Sequence, residues 1–442
     1  MIMVIRRIRG FLIPFVILFA ILGVATLLIG YGKGYRLDFG NNRLKSTGLI
    51  LATSDPIGAQ IYVNGILRTA TNNSVNVDPG WYTVRITREG FIPWEKQVRV
   101  QGEVVARADA FLFPTSPSLS PLTATGIVKP LLSPDGTKIA YIVPFPAMKD
   151  ATAAFTPSAA EVKNAGIWIY ELIDRPLGLN RDPKHIASFE SNSDPDNMTM
   201  IWSPDANQLL VADTLSIRLY QTNRLDEYKI ISASYESILK EWQDDTRAKD
   251  RAKLAAFKPP IIDMATRSAK IIAFSPDETK LFYEATASAT IPQVIVPALL
   301  GTNPTKEERT IHPGKLYVYD SREDKNYFLL DKKELPAPKP TPLSKSKSSS
   351  LQLPTSNFLS LTSNVQLPTS IRWFPTNRHL LFMLQGKIDV LEYDRTNWIT
   401  VYSGPFTDGF MAPWPNGSRI IIMTNLNPGT QPLPNLYTVN LR

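Results

Sequence analysis

Residues 131–143 read Leu131-Leu132-Ser133-Pro134-Asp135-Gly136-Thr137-Lys138-Ile139-Ala140-Tyr141-Ile142-Val143: an apolar strand end, a Ser-Pro-Asp-Gly turn and a second, strongly apolar strand. Proline pre-sets φ at the first corner of such a turn, and the aspartate caps it through its own backbone. The plan recurs. Ile201-Trp202-Ser203-Pro204-Asp205 is followed by Gln208–Asp213, and Ala273-Phe274-Ser275-Pro276-Asp277 by Lys280–Ala285. Two looser copies are Arg372-Trp373-Phe374-Pro375-Thr376 and Ala412-Pro413-Trp414-Pro415-Asn416-Gly417. Each has a third strand with an aromatic residue (GIWIYEL, SIRLYQT, KLYVYDS, KIDVLEYD, NLYTVNL), and HIASF, YKIIS, NYFLL and WITVY supply fourth strands. A repeating four-stranded unit that cannot bury both faces alone must stack against its neighbours, as the blades of a β-propeller do.

The Ser-Pro-Asp-Gly wording resembles the TolB-like, or WD40-like, propeller repeats. Asn377 and Asn416 fall near the aspartate position in the looser copies. We expect Ser133, Pro134, Asp135, Ser203, Pro204, Asp205, Ser275, Pro276, Asp277, Pro375, Pro415 and Asn416 to form turns and not to hold ligands. The fifth repeat reaches Arg442 without a fourth strand, so residues 117–123 are expected to pair with it and remove an exposed edge. Five blades follow, or six if a diverged one hides in an insertion. The propeller is assigned to 114–442.

Ser234–Lys258 predicts an inserted helix, with Tyr235, Ile238, Leu239 and Trp242 on one stripe and Pro259-Pro260 ending it. Leu335–Pro368 is rich in proline, serine and lysine and reads as a loop; Asp150–Asn164 and Ala285–Arg309 are further loops.

Upstream, residues 46–113 break into short alternating segments and read as a separate all-β unit. Asn64-Gly65 after Gln60–Val63 predicts a tight hairpin, since a type I′ turn needs positive φ at both central positions. Asp78-Pro79-Gly80 is a second turn, in which glycine is expected to supply a positive φ. Pro56-Ile57-Gly58-Ala59, Ile61–Gly65, Pro79-Gly80-Trp81-Tyr82-Thr83-Val84 and Gly90-Phe91 together resemble the PEGA domain family. Ile57 stands where that motif has glutamate. The resemblance implies a small β-sandwich of bacterial and archaeal surface proteins and no catalytic role. Trp81, Tyr82, Phe91 and Trp94 are expected to pack in its core and edges.

Phe11–Ile29 is an uncharged apolar run of 19 residues, spanning roughly 28 Å as a helix, close to a bilayer's hydrocarbon core. It predicts a transmembrane helix. Arg6, Arg7 and Arg9 precede it, which sets residues 1–10 in the cytoplasm and the bulk outside, although Lys33, Arg36, Arg43 and Lys45 oppose that bias. No A-x-A-like site follows, favouring an uncleaved signal anchor over a cleaved signal peptide. Residues 30–45 are read as a linker.

The net charge of +8 is spread along the chain, and no basic stripe with interleaved aromatics marks a nucleic-acid reader. No cysteine is present, excluding disulfides, thiolate metal sites and cysteine nucleophiles. His185, His312 and His379 are not grouped, and P-loop, G-x-S-x-G and G-x-G-x-x-G motifs are missing. No catalytic, cofactor or metal residue is assigned. The reading is an all-β, membrane-anchored binding or scaffold protein of the cell envelope, whose partner is an envelope protein or a cell-wall polymer. The alternative is a glycan-processing enzyme with paired carboxylates in the propeller channel, with Asp213, Glu284 and Asp389 as candidates.

Overall fold

A computed structural model describes residues 15–26, 28–30, 35–38, 43–145, 159–174, 182–189, 194–335, 370–429 and 432–442. Two compact units emerge: Met1–Phe113 with Ile295–Lys306, and Pro114–Val294 with Glu307–Arg442.

In the first unit, residues 15–26 and 28–30 are helical, and apolar side chains such as Phe15, Leu18 and Ile21 are exposed. Among the described residues no helix is long and apolar enough to cross a membrane. Residues 11–14 and 27 of the expected span lie outside the described residues. Within the stretch read as a linker, Tyr35–Asp38 pairs antiparallel with Arg43–Ser46.

The small β-domain is two sheets face to face. One has three strands, Asn73–Val77, Gly48–Asp55 and Val105–Phe111, the last two parallel. The other has four, in the order Ile66–Ala70, Gln60–Val63, Gly80–Thr87, Trp94–Val100. Alternate residues of each face inward: Ile50, Ala52, Ile61, Val63, Val84, Ile86, Trp94, Val98, Val100, Ala106 and Ala108 form one apolar cluster. This is the period-2 pattern of a half-buried strand. Asn64 and Gly65 have φ of +49° and +79°, the hairpin their dipeptide calls for, and the strand it leads into, Ile66–Ala70, went unassigned in the sequence. Gly80 behaves differently from expectation: it is not left-handed but opens the strand Gly80–Thr87, and the turn is fastened by Tyr82 Oη donating to the Asp78 carbonyl at 2.9 Å. Segment 295–306, part of the loop read at Ala285–Arg309 within the third repeat, belongs to this unit, where Gly301 N–H donates to Gln101 Oε1 at 3.1 Å.

Among its described residues the second unit contains five four-stranded antiparallel sheets, a propeller-like arrangement. The first sheet is Val128–Leu132, Lys138–Val143, Gly166–Glu171 and Lys184–Ser188. The second is Thr199–Trp202, Gln208–Ala212, Ile217–Gln221 and Tyr228–Ile230. The third runs Ala269–Phe274, Lys280–Ala285, Lys315–Asp320, Lys325–Asp331, and the fourth Ile371–Trp373, His379–Leu384, Lys387–Glu392, Ile399–Tyr402. The fifth orders Met411–Pro413, Arg419–Thr424, Asn435–Asn440 and then Leu119–Pro121, which pairs with the last of these from the other end of the unit. The strand pairing expected for residues 117–123 is therefore present. Central strands such as Lys138–Val143 are almost wholly buried, because neighbouring sheets cover both faces. First and second sheets share one apolar cluster, third and fourth another, fifth and first a third.

Between the second and third sheets the apolar packing runs through helices. Helix α1 (Tyr235–Leu254) lays Tyr235, Leu239 and Trp242 on Ile201, Leu210 and Ile217. Its last residue, Leu254, and helix α2 (Pro259–Arg267) cover Leu281, Tyr283, Tyr317 and Tyr319 of the third sheet. The sequence predicted one helix over 234–258 ended by Pro259-Pro260. Instead the prolines open α2, occupying positions whose N–H groups have no intrahelical partner in any helix. The loop expected at Leu335–Pro368 falls, after its first residue, outside the described residues.

Candidate functional site

The repeat turns come first, since they carry the polar residues that stand out in the sequence. In the first turn Ser133 Oγ donates to Asp135 Oδ1 at 2.5 Å and accepts the Lys138 N–H at 2.9 Å. Asp135 also receives the N–H and hydroxyl of Thr137. The second and third turns repeat this latch, through Ser203 with Asp205 and Gln208, and Ser275 with Asp277 and Lys280. Burial pushes the Asp135, Asp205 and Asp277 carboxyls upward, but the converging donors outweigh it and hold each below the ordinary carboxylate range.

The two looser turns keep the backbone and change the fastening. Phe374 N–H and Trp414 N–H donate to His379 O and Arg419 O, each at 2.9 Å, as Ser133 N–H does to Lys138 O. Their rings are buried in place of the serine hydroxyls. All five turns share a left-handed fourth position: Gly136 (+70°), Ala206 (+56°), Glu278 (+57°), Asn377 (+61°) and Gly417 (+72°). Asn377 thus stands in the glycine position, one residue beyond the aspartate position that Thr376 fills.

Consecutive turns are also tied to one another. Lys138 Nζ reaches Ala206 O at 2.8 Å, Asn377 Oδ1 accepts Asp277 N–H at 2.9 Å, and the Phe374 ring borders Gly417. Between the second and third turns α1 spans the interval: Lys249 Nζ donates to Pro204 O at 3.0 Å and Lys253 Nζ lies 3.3 Å from Glu278 Oε1.

The three candidate carboxylates lie on or beside three different sheets, each engaged locally. Asp213 follows a strand of the second sheet and caps its hairpin, accepting Leu215 N–H and Ser216 N–H at 2.7 Å. Glu284, in the third, pairs with Lys332 Nζ at 2.9 Å. Asp389, in the fourth, is fully buried and receives Lys387 Nζ (2.7 Å), Trp398 Nε1 (2.8 Å) and Thr400 Oγ1 (2.7 Å). No group of three or more His, Asp or Glu suited to a metal ion occurs among the described residues.

In the small β-domain Gly58 is left-handed (φ +84°) and Ala59 is buried, its N–H held by Thr71 Oγ1 at 3.0 Å. Ile57, the residue at the motif's glutamate position, is exposed. Of the four aromatics expected to pack, Trp94 is buried and Tyr82 and Phe91 are half-buried against the core. Trp81 departs from expectation, with its side chain 56% exposed. Strand parity carried the signal: Trp81 is two residues from Thr83 and odd-numbered, whereas the buried Val84 and Ile86 are even.

A small two-sheet β-domain followed by a propeller-like body of repeated four-stranded sheets defines the class. Residues 47–114 match the model of the PEGA domain. No curated protein matches the chain. Among solved structures the chain is similar to a putative TolB from Agrobacterium tumefaciens at 11% identity, covering 69% of this chain and 71% of that one, with a TM-score of 0.21. TolB from Acinetobacter baumannii is 11% identical over 81% and 59%, with a TM-score of 0.20. The β-propeller domain of Cps50 (Swd1) from Myceliophteria_thermophila is 9% identical over 73% and 98%, with a TM-score of 0.24. The architecture stands on the strand pairing itself.

Proposed function

We propose that this is a membrane-anchored binding or scaffold protein of the cell envelope. The observation that carries the reading is the engagement of Asp213, Glu284 and Asp389, each satisfied by local donors on a different sheet. Carboxylates for glycan cleavage must face one bond across a short gap, with at least one poised to give or take a proton. Carboxylates bound into hairpins and strand pairs hold a framework. The PEGA match at 47–114 and the uncharged run Phe11–Ile29 support an envelope location with the run as a single-pass anchor and residues 1–10 cytoplasmic. The five sheets act as one five-bladed propeller, a reading supported by the pairing of Leu119–Pro121 with Asn435–Asn440. Its partner is an envelope protein or a cell-wall polymer.

The test is direct. Full-length protein expressed in cells is followed through alkaline extraction of membranes and protease shaving of intact cells, then incubated with isolated envelope material while any released sugar is analysed. Retention in extracted membranes, shaving of the bulk and binding without sugar release are expected. Release of sugar fragments that stops on substitution of a carboxylate would replace this reading with the enzymatic one.

A further inference from the structure

Exposed tryptophan is costly to leave in water, since indole is the largest apolar side chain, and its position on Trp81 is set by the sheet itself. Along Gly80–Thr87, Val84 and Ile86 enter the core while Trp81, Thr83 and Arg85 take the opposite face. Register then brings Arg99 opposite Trp81, Gln97 opposite Thr83, and Tyr62 on the next strand opposite Arg85. The Arg99 guanidinium carbon lies 6.0 Å from the Trp81 ring centroid, a cation–π approach that holds the indole while leaving it open. Trp81 and Tyr62 are separated by four residues of strand, about 13 Å at ~3.3 Å per residue. Amide, hydroxyl and guanidinium groups fill the interval.

That composition selects the occupant. Cores of protein–protein interfaces are contiguous, apolar and depleted of charge. Here the neighbours of Trp81 on this face, Thr83 along the strand with Arg99 and Gln97 across it, are polar, while Tyr62 at the far end stands opposite the exposed Leu67. A polar surround about the indole suits a partner whose own surface alternates C–H faces with hydroxyls. Arg85 and Arg99 against Glu95, which sits opposite Arg85 in register, leave this strip with a net +1 (two cations less one anion), complementary to a polymer bearing carboxylates. We propose that the outer face of the four-stranded sheet, centred on Trp81 and Arg99, is a binding platform for an anionic glycan. Trp81 stacks on a sugar's apolar face, and Arg99 takes the neighbouring carboxylate. The proposal rests on the envelope-binding reading and narrows it to the polymer.

Full-length protein in detergent micelles is run through native gels containing alginate as the anionic glycan, dextran as a neutral one, or polyglutamate as a charged non-glycan, beside Trp81→Ala, Trp81→Phe and Arg99→Gln. Trp81 is on the surface, so Trp81→Ala is expected to unfold at the same denaturant concentration as the unmodified chain. Retardation by alginate is expected to exceed that by dextran and polyglutamate. Affinity should fall at least about tenfold in Trp81→Ala and partly recover in Trp81→Phe, with Arg99→Gln losing only the preference for alginate over dextran. Equal retardation by polyglutamate, no retardation by alginate, or a Trp81→Ala protein that binds as well as the unmodified chain overturns the platform. The envelope reading fails separately, if the unmodified chain does not bind isolated envelope material at all.

Discussion

Asn377 Oδ1 accepts the backbone N–H of Asp277 at 2.9 Å across 100 residues of sequence, joining the turn of the third sheet to that of the fourth. The same asparagine sits at φ +61°, where a side chain other than glycine, asparagine or aspartate is strained. One residue thus serves the turn's backbone and its neighbour's. Replacement by glycine keeps the backbone and removes the bond, at about 1 kcal/mol; replacement by alanine adds the left-handed strain, roughly 1 kcal/mol more. Urea unfolding of the full chain in detergent should rank the unmodified protein above Asn377→Gly and Asn377→Ala last.

Gly136 and Gly417 occupy the same left-handed position in their turns, but their surroundings differ. A Cβ on Gly136 meets open space, whereas on Gly417 it would sit 3.2 Å from the buried Phe374 ring. Gly136→Ala is expected to cost about 1 kcal/mol of backbone strain alone. Gly417→Ala should cost distinctly more, since the aromatic must also give way. Equal shifts in unfolding midpoint would mean that the Phe374 ring moves aside freely.

The Ser-Pro-Asp latches predict acid sensitivity of a defined sign. The folded chain holds Asp135, Asp205 and Asp277 below the values of the unfolded chain. Their contribution is therefore complete above the unfolded carboxylate range, near pH 4, and is lost as pH falls through the lower folded values. A triple Asp→Asn protein should be less stable near neutrality and lose less stability on acidification from about pH 5 to pH 3. Unfolding midpoints measured against pH check both limbs.

Thr123 and Asn435 fasten the returning segment. Thr123 Oγ1 donates to Asn435 Oδ1 and accepts the Leu436 N–H, each at 3.0 Å, and Asn435 Oδ1 also accepts Gly126 N–H at 3.0 Å. Thr123→Val keeps the volume and strands buried partners, for an expected loss of about 1–3 kcal/mol. A double-mutant cycle with Asn435→Ala should show coupling of about 1 kcal/mol. Additive losses would mean that the two residues act independently.

Asp389 and Glu284 should separate in stability although the sequence offered them as equals. Asp389 is buried with three donors, one of them Lys387, and Asp389→Ala leaves those donors without their acceptor, at about 3 kcal/mol or more. Glu284 pairs with a largely exposed Lys332, so Glu284→Gln should cost at most about 1 kcal/mol. Denaturant midpoints of the two proteins make the comparison.

Much of the fold was legible because its signals are local. Period-2 apolarity, Asn64-Gly65 and the Pro-containing turns depend on neighbours within a few residues, and they located the sheets and the four outer strands HIASF, YKIIS, NYFLL and WITVY. The unpaired third strand of the fifth repeat even pointed to its partner near Leu119. Other local signals are ambiguous: Pro259-Pro260 serves equally to end one helix or begin another, and packing of Ile261 and Met264 on the third sheet decides for beginning.

The sequence by itself determined the repeat, the turn chemistry and the order of the strands, since each follows from side-chain spacing and backbone freedom over a handful of residues. The tertiary structure decided which polar groups are consumed and which remain. Asp213, Glu284 and Asp389 look alike in sequence, and only the donors brought from other positions make them framework. Trp81 and Trp94 look alike too, and the pairing of the sheets buries one and leaves the other in water. Glu284 meets Lys332 across 48 residues and Asn377 meets Asp277 across 100, contacts between distant segments that no local pattern encodes.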